Sequence, residues 1–139
     1  MTQDTSTDVV VVGAGPAGMT AASCLAESGV RVLVLDENSA PGGQVYRSVE
    51  KVTDKRSADL SVLGSHYRNG SKLVERLHSS GAQYWPGTSV WEISAAEEPT
   101  LAVGVVRDGR VRMIQADHII LATGAMERPT PFPGLSLIH

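Results

Sequence analysis

Residues 9–18 read VVVVGAGPAG, and Asp36 follows eighteen positions after the last of these glycines. The four valines predict a strand buried on both faces of a parallel sheet. The GxGxxG spacing after it predicts a tight turn at Gly13, close approach of a pyrophosphate at Gly15 and close helix–sheet packing at Gly18. The stretch therefore predicts the first strand, turn and helix of a dinucleotide-binding βαβ unit.

The flanking sequence completes this unit. A helix is predicted from Pro16 to about Ser28, with Pro16 suited to its first turn, and a second buried strand from Val30 to Leu35. Asp36 then lies at the carboxyl end of that strand, where a carboxylate accepts hydrogen bonds from ribose hydroxyls and repels a 2′-phosphate. NADP is disfavoured, whereas this motif alone leaves NAD and FAD open. A glycine-rich turn that binds nothing is the alternative, which the flanking strands and the acidic residue disfavour.

The rest of the chain predicts an inserted β-meander. Residues 37–68 show no sustained period and predict a long functional loop with room for one helical turn, and residues 70–80 predict a second helix. Short strands are predicted at 83–85, 89–93, 101–106, 110–115 and 118–122, with Asp108-Gly109 as a hairpin turn. The predicted fold class is α/β, a Rossmann-like βαβ unit with a parallel sheet and a β-meander insertion.

Two further motifs favour FAD over a nicotinamide cofactor. Residues 41–44 read PGGQ, and a paired glycine at this place suits an extended cofactor that must be led towards its flavin ring. Residues 119–124 read IILATG, an apolar strand that ends in small residues, where the backbone can pass close to a cofactor.

With these motifs the sequence resembles the flavoproteins that have two dinucleotide-binding domains. The stretches VVVVGAGPAG, VLVLDE and IILATGA look like the FAD half of the pyridine nucleotide-disulfide oxidoreductase superfamily. A narrower resemblance is carried by the stretches LDE, PGGQVYR, SVWEI and ATGAMERPTPFPG. They are similar to the FAD-dependent amine dehydrogenase subunits typified by the flavin subunit of opine (octopine or nopaline) oxidase. That group has relatives in hydrogen cyanide synthase and heteromeric proline dehydrogenase. The resemblance covers residues 8–134. It implies FAD as cofactor, a small amine or opine as substrate, and other oxidoreductase subunits as partners that carry the electron acceptor.

The resemblance also implies a role for particular residues of a FAD site. The pyrophosphate is assigned to Gly13, Gly15, Pro16, Ala17 and Gly18, and the adenosine ribose to Asp36 with Glu37. The segment leading to the flavin is assigned to Gly42, Gly43 and Gln44 with Arg47, the adenine to the backbone of Val90, and the remaining cofactor lining to Ala122, Thr123 and Gly124. Arg47 and Arg128 suit solvated surface charges equally well. Trp85 and Trp91 are predicted to pack in the core or a hairpin rather than to stack on a ligand.

Composition excludes several other classes. The chain has 139 residues, 42% hydrophobic and 19% charged, with a formal net charge of −3, which predicts one globular domain and no nucleic-acid partner. No apolar run approaches the roughly 20 residues of a transmembrane segment. Cys24 is the only cysteine in this sequence, which excludes an internal disulfide and a redox CxxC pair and favours a cytoplasmic setting. Because Cys24 lies on the predicted first helix, its side chain is expected to pack in the core. The histidines share no metal-ligand spacing, and no catalytic residue can be assigned.

The predicted organisation has three parts. Residues 1–7 predict a disordered tail, residues 8–127 the amino-terminal part of a FAD-binding domain, and residues 128–139 a Pro-rich linker. Relatives of this type are longer and place a NAD-type domain and a returning FAD segment after that linker, so a carboxyl-terminally truncated fragment is expected. Two alternatives stay open: a non-catalytic remnant that binds an adenine dinucleotide, and a thioredoxin-reductase-like flavoprotein, which GGQ and ATG also suit. The segments MERPTPFPG and SVWEI favour the amine-oxidising branch.

Overall fold

The computed structural model describes residues 5–47, 49, 60–97 and 100–125, with side chains at all of these except residues 60–67. The elements in these ranges are, in chain order, β1 (Thr5–Val12), α1 (Pro16–Glu27), β2 (Val32–Leu35), α2 (Leu60–Ser79), β3 (Gln83–Trp85), β4 (Thr88–Ala95), β5 (Leu101–Arg107) and β6 (Arg110–Leu121). Neither of these helices has the length and apolar character needed to cross a membrane.

All six strands form one mixed sheet in the order β3-β2-β1-β6-β5-β4. Strand β1 lies between β2 and β6 and runs parallel to both, so that Val10 pairs with Leu33 on one side and Ile119 on the other. Strands β4, β5 and β6 are antiparallel neighbours, which is the predicted meander. Its β5–β6 turn has φ values of 52° at Asp108 and 69° at Gly109, as the Asp-Gly hairpin signal predicts.

The sheet is covered on both faces. On one face, Met19 of α1 and Leu77 of α2 pack with the odd-numbered valines of β1, Val9 and Val11. On the other face, β5 contributes Val103 and Val105 to a second cluster that includes Val10 of β1. The meander therefore folds over the face that the helices leave open, and the uninterrupted valine run follows from burial on both sides.

Strand β6 is continuous where the sequence predicts two strands, at 110–115 and 118–122. The predicted gap between these strands is residues 116 and 117, and Asp117 and His118 are exposed polar residues. At this point β6 changes neighbours: its pairing with β5 ends at Ala116, and its pairing with β1 continues through His118, which lies opposite Val9. The polar pair marks a change of partner in the sheet, so the prediction of two strands is wrong.

Helix α2 begins at Leu60, ten residues before the predicted start. The prediction of a loop through residue 68 is therefore wrong over residues 60–68. Two glycines, Gly64 and Gly70, interrupt the helical pattern in the sequence. Gly70 is buried and faces the ring of Tyr46, so a long-range contact requires a glycine inside the helix.

The termini differ from the predicted boundaries at one end. Residues 5–7 belong to β1, because Thr5 lies opposite Ile114 of β6 and Thr7 Oγ1 donates a hydrogen bond of 2.8 Å to the carbonyl of Arg31. The remainder of the predicted tail, residues 1–4, and the predicted linker with Arg128 lie outside the described residues.

An ion pair between Asp8 and Arg31 joins β1 to the segment before β2. The guanidinium Nε donates to Asp8 Oδ1 at 3.0 Å, and the Arg31 backbone N–H donates to Oδ2 at 2.9 Å. These hydrogen bonds, with the side-chain bond the larger cause, hold the pKa of Asp8 below its ordinary value of 3.8. Because the folded-state pKa is the lower one, the pair stabilises the fold above the unfolded-state pKa, and this contribution disappears as the pH falls through the folded-state pKa.

We therefore expect Asp8→Asn to lower the urea midpoint slightly at pH 7, with the difference shrinking below about pH 4. Unfolding curves at pH 7, 4 and 2.5 measure this dependence. Glu92→Gln, the same kind of exposed substitution on β4, serves as the matched control. A difference between Asp8→Asn and the unsubstituted protein that stays constant down to pH 2.5 would contradict the assignment.

Candidate dinucleotide-binding site

A cleft of about 1030 Å³ opens where β1 and β2 end and α1 begins. The predicted site residues that line it are Gly13, Gly15, Pro16, Ala17, Asp36, Glu37, Gly43, Gln44, Arg47, Val90, Ala122, Thr123 and Gly124. Gly18 and Gly42, the other two predicted residues, do not line it. The structure thus brings segments from four separate parts of the chain to one place, at the carboxyl ends of parallel strands where α/β sheets bind ligands.

Gly18 and Gly13 are explained by contacts within the chain. A Cβ at Gly18 would overlap the carbonyl of Gly13 and lie 3.3 Å from the Cβ of Ala122. Gly13 has a φ of 104°, and a Cβ there would overlap the carbonyl of Ala122. The end of β1, the first turn of α1 and the residue after β6 therefore meet backbone to backbone, which is the close helix–sheet packing that the motif predicts.

No contact within the described chain explains the glycine at position 15. It is the N-cap of α1 with a φ of −73°, a conformation open to any residue, and a Cβ there would meet nothing within 4 Å. The space beside it belongs to the cleft. A helix N-terminus has backbone N–H groups without partners in the helix and a partial positive charge, both of which favour a phosphate. The residues present here therefore fit the pyrophosphate of a dinucleotide, because the helix N-terminus faces an open cleft and no side chain stands at Gly15.

Asp36 connects β2 to the glycine turn. The backbone N–H of Ala14 donates to Asp36 Oδ2 at 2.5 Å, and the backbone N–H of Asn38 donates to Oδ1 at 2.7 Å. The residue is only 6% exposed, yet it lines the cleft. Its carboxyl group is thus held at the cleft wall by the chain itself.

The PGGQ segment lies against the glycine turn. The Gly42 N–H donates to the carbonyl of Ala14 at 2.8 Å, and a Cβ at Gly43 would lie 3.0 Å from the Cα of Gly15. Gly42 and Gly43 have φ values of 123° and 59°, which favour glycine. Gly42 contributes to the shape of this loop without lining the cleft, whereas Gly43 and Gln44 line it.

Several lining residues were not predicted from the sequence: Val12, Leu35, Asn38, Ser39, Ala40, Pro41, Val45, Thr88, Ser89 and Ala125. Most are neighbours of predicted residues on the same segments. The sequence could have indicated Asn38, because an asparagine close to an aspartate in a turn commonly forms local side-chain hydrogen bonds. Val45 is 66% exposed although apolar, and nothing in the sequence pattern marks it.

The tryptophans do not line the cleft, in agreement with the predicted packing roles. Trp85 packs against the second core cluster, and the guanidinium carbon of Arg107 lies 4.9 Å from its ring centroid. The indole of Trp91 packs against Gly104, and a Cβ added at Gly104 would lie 2.7 Å from that ring. Among the described residues, no group of three or more His, Cys, Asp or Glu side chains could hold a metal ion.

The predicted core packing of Cys24 is wrong. Cys24 is exposed, and its Sγ accepts a hydrogen bond of 3.4 Å from the guanidinium of Arg76 on α2. The buried residues of α1 are Gly18, Met19, Ala22 and Ser23. Because small residues occur all round this helix, the sequence pattern does not distinguish its buried face from the face towards Arg76.

Tyr46 anchors the PGGQ segment to α2. A Cβ at Gly70 would lie 2.5 Å from the Tyr46 ring, so Gly70→Ala must push that ring away. We expect a loss of about 1–3 kcal/mol in the free energy of unfolding, the usual cost of overpacking. In a Tyr46→Ala background only the Cβ of residue 46 remains, 3.0 Å from the added Cβ, so the same substitution should cost clearly less. Urea unfolding of the four proteins measures this difference, and equal effects of Gly70→Ala in both backgrounds would contradict the contact.

The family profile of pyridine nucleotide-disulphide oxidoreductases matches residues 7–139. The chain belongs to this family. It is 46% identical over 134 residues to an opine oxidase subunit of Rhizobium meliloti, covering 94% of this chain and 25% of that protein. It is 35% identical over 135 residues to hydrogen cyanide synthase subunit HcnB of Pseudomonas protegens, covering 95% of this chain and 27% of that protein. The chain thus spans about a quarter of the length of these relatives.

Solved structures confirm the predicted Rossmann-like α/β fold. L-proline dehydrogenase from P. horikoshii superimposes with a TM-score of 0.71 and 24% identity, covering 91% of this chain and 24% of that chain. The flavin-dependent monooxygenase PieE, solved in complex with FAD and substrate, superimposes with a TM-score of 0.64 and 20% identity, covering 88% and 31%. The family match, together with the FAD-bound neighbour PieE, supports FAD as the cofactor, and the predicted superfamily is confirmed. The chain is a member of a family of FAD-dependent oxidoreductases.

Proposed function

We propose that this chain forms the FAD-binding domain of an oxidoreductase subunit that oxidises a C–N bond of an amine or an opine-type amino acid derivative. The observation that carries the cofactor assignment is Gly15, a glycine at a helix N-terminus that no contact within the described chain requires and that faces an open cleft. The substrate class is supported by the 46% identity to the opine oxidase subunit of Rhizobium meliloti.

In this proposal the pyrophosphate of FAD lies across the first turn of α1. Gly15, Pro16 and Ala17 line the cleft there, and Gly13 and Gly18 let the turn and the helix come close to β6. Asp36 accepts a hydrogen bond from the adenosine ribose, with Glu37 beside it in the cleft wall.

The other walls of the cleft hold the two ends of the cofactor. Gly43, Gln44 and Arg47 lead from the pyrophosphate towards the flavin, on a loop that Gly42 shapes. Ala122, Thr123 and Gly124 form the facing wall, and the backbone of Val90 lies towards the adenine. These assignments use every predicted site residue, thirteen of them as cleft lining and two as backbone packing.

Bound FAD would supply the hydride acceptor for the C–H bond next to the substrate nitrogen. That nitrogen also loses a proton, and the resulting imine adds water and breaks down to a carbonyl compound and an amine. This chain contributes the orientation of the cofactor, and we assign no general base to its described residues. The electron acceptor is proposed to lie on partner subunits, since both relatives are themselves named as subunits of larger enzymes. A reducing, cytoplasmic setting accords with the single cysteine.

A chimera tests the proposed activity. The aligned region of the Rhizobium meliloti opine oxidase subunit is replaced by this chain, and the chimera is expressed with the other subunits of that enzyme. We expect it to retain FAD and to reduce a dye in the presence of octopine or nopaline, and a chimera carrying Gly15→Val to do neither. A chimera that retains FAD without opine-dependent dye reduction would contradict the proposed activity and favour a dinucleotide-binding remnant.

A further inference from the structure

Asn38 lies in the cleft wall beside Asp36, and its side chain is hydrogen-bonded to that residue. Its Nδ2 donates to Asp36 Oδ1 at 2.8 Å, and its backbone N–H donates to the same oxygen at 2.7 Å. A carboxylate oxygen accepts about two hydrogen bonds. Oδ1 is therefore saturated by Asn38 alone.

The other carboxylate oxygen of Asp36 has one acceptor position left. Oδ2 accepts from the backbone N–H of Ala14 at 2.5 Å. That bond fixes the carboxylate to the glycine turn, and the remaining lone pair of Oδ2 is the position open to a ligand. Asp36 can thus accept one ribose hydroxyl without breaking a bond that the structure already makes.

The backbone around Asn38 is held independently of its side chain. The carbonyl of Asn38 accepts from the N–H of Gly87 at 3.0 Å, and the carbonyl of Asp36 accepts from the N–H of Thr88 at 2.8 Å. These bonds tie the segment to the start of β4. Removing the carboxamide of Asn38 therefore removes one hydrogen bond to Asp36 and leaves the course of the chain in place.

We infer that Asn38 is a positioning residue for the adenosine ribose. Asn38 saturates Asp36 Oδ1, so only Oδ2, which already accepts a hydrogen bond from Ala14, can accept one from a hydroxyl of the ribose diol. Asn38 does not touch the ligand in this arrangement, and it acts through Asp36. The second hydroxyl is left to Glu37, the exposed carboxylate next in the chain and in the same cleft wall. This inference rests on the proposed FAD site.

The probes are ADP and 2′,3′-dideoxy-ADP, which share the adenine and the pyrophosphate and differ only in the ribose hydroxyls. We expect the unsubstituted protein to bind ADP more tightly than the dideoxy compound. In Asn38→Ala, ADP affinity should fall by about 3- to 10-fold, because the ribose hydroxyl then meets a carboxylate whose orientation is less restricted, an effect similar to that of one ordinary hydrogen bond. The affinity for dideoxy-ADP should change by less than about twofold, because that ligand makes no use of Oδ2.

Two further variants separate positioning from general damage. Asn38→Ser keeps a short hydroxyl donor and should recover part of the ADP affinity. Asn69→Ala, an exposed asparagine on α2 away from the cleft, should leave both affinities unchanged. Isothermal titration calorimetry measures all affinities, and urea unfolding verifies that each variant folds as the unsubstituted protein does.

The outcomes distinguish this inference from the function on which it rests. Equal losses of ADP and dideoxy-ADP affinity in Asn38→Ala, or no loss of either, would overturn the role of Asn38 and leave the FAD site standing. A folded, unsubstituted protein that binds neither ADP nor FAD would overturn both. A loss confined to ADP supports the positioning role.

Discussion

Gly15→Ala is expected to lower the affinity for FAD by about 10- to 150-fold while changing the free energy of unfolding by less than about 1 kcal/mol. The affinity falls because the added methyl group occupies the place where a phosphate meets the N-terminal N–H groups of α1. The fold tolerates it because Gly15 has a φ of −73° and its Cβ would meet nothing within 4 Å. The poorer capping by alanine is offset by the smaller conformational freedom of the unfolded chain.

Flavin fluorescence titration and urea unfolding of the same preparations measure the two quantities. Adenosine is the control ligand, because it lacks phosphates and its affinity should be the same for the unsubstituted and substituted proteins. A Gly15→Ala protein that binds FAD as tightly as the unsubstituted protein would show that the pyrophosphate does not lie at this turn. A large loss of stability would instead show that the chain itself requires glycine there.

Gly18→Ala has the opposite expected effect. The same methyl group, three residues later, would overlap the carbonyl of Gly13 and lie 3.3 Å from the Cβ of Ala122. Both the obstructing carbonyl and the first turn of α1 belong to backbone, which cannot move aside as a flexible side chain can. We expect a loss of about 3 kcal/mol in the free energy of unfolding, at the upper end of the usual cost of overpacking.

The two alanine substitutions are matched controls for each other, since they add the same group to the same motif. Urea unfolding monitored by circular dichroism measures the loss. An unfolding free energy of Gly18→Ala within about 1 kcal/mol of the unsubstituted value would contradict the close contact between α1 and the end of β1. FAD affinity is expected to fall here as well, as a consequence of displacing the turn.

The contrast between Gly15 and Gly18 shows what the sequence could and could not establish. The motif named both glycines and Asp36, because strand, turn and helix are adjacent in the chain and obey local rules. The motif also predicted the role of each glycine, and the structure adds the residue that Gly13 and Gly18 approach, Ala122, which comes from a distant segment. A pattern thus identifies the residues of such a turn and their expected roles, and the fold supplies the contacts by which those roles are tested.

The wrong predictions share a physical cause. Gly64 and Gly70 interrupt the helical pattern of α2, and Gly70 is required by a contact with Tyr46, which is distant in the chain. Asp117 and His118 interrupt the apolar pattern of β6 at the point where it changes neighbours, which no local pattern reports. Cys24 lies on a helix rich in small residues, so its exposed position could not be deduced. In each case the outcome depends on a tertiary contact that no local pattern contains.

The measurement that tests the central claim most directly is retention of FAD by the unsubstituted 139-residue protein. The purified protein is incubated with FAD, freed of excess cofactor by gel filtration, and examined for flavin absorbance near about 450 nm. We predict that flavin bands remain with the protein, and that Gly15→Ala elutes largely without them. A protein that unfolds cooperatively in urea, and is therefore folded, but elutes colourless would contradict the account.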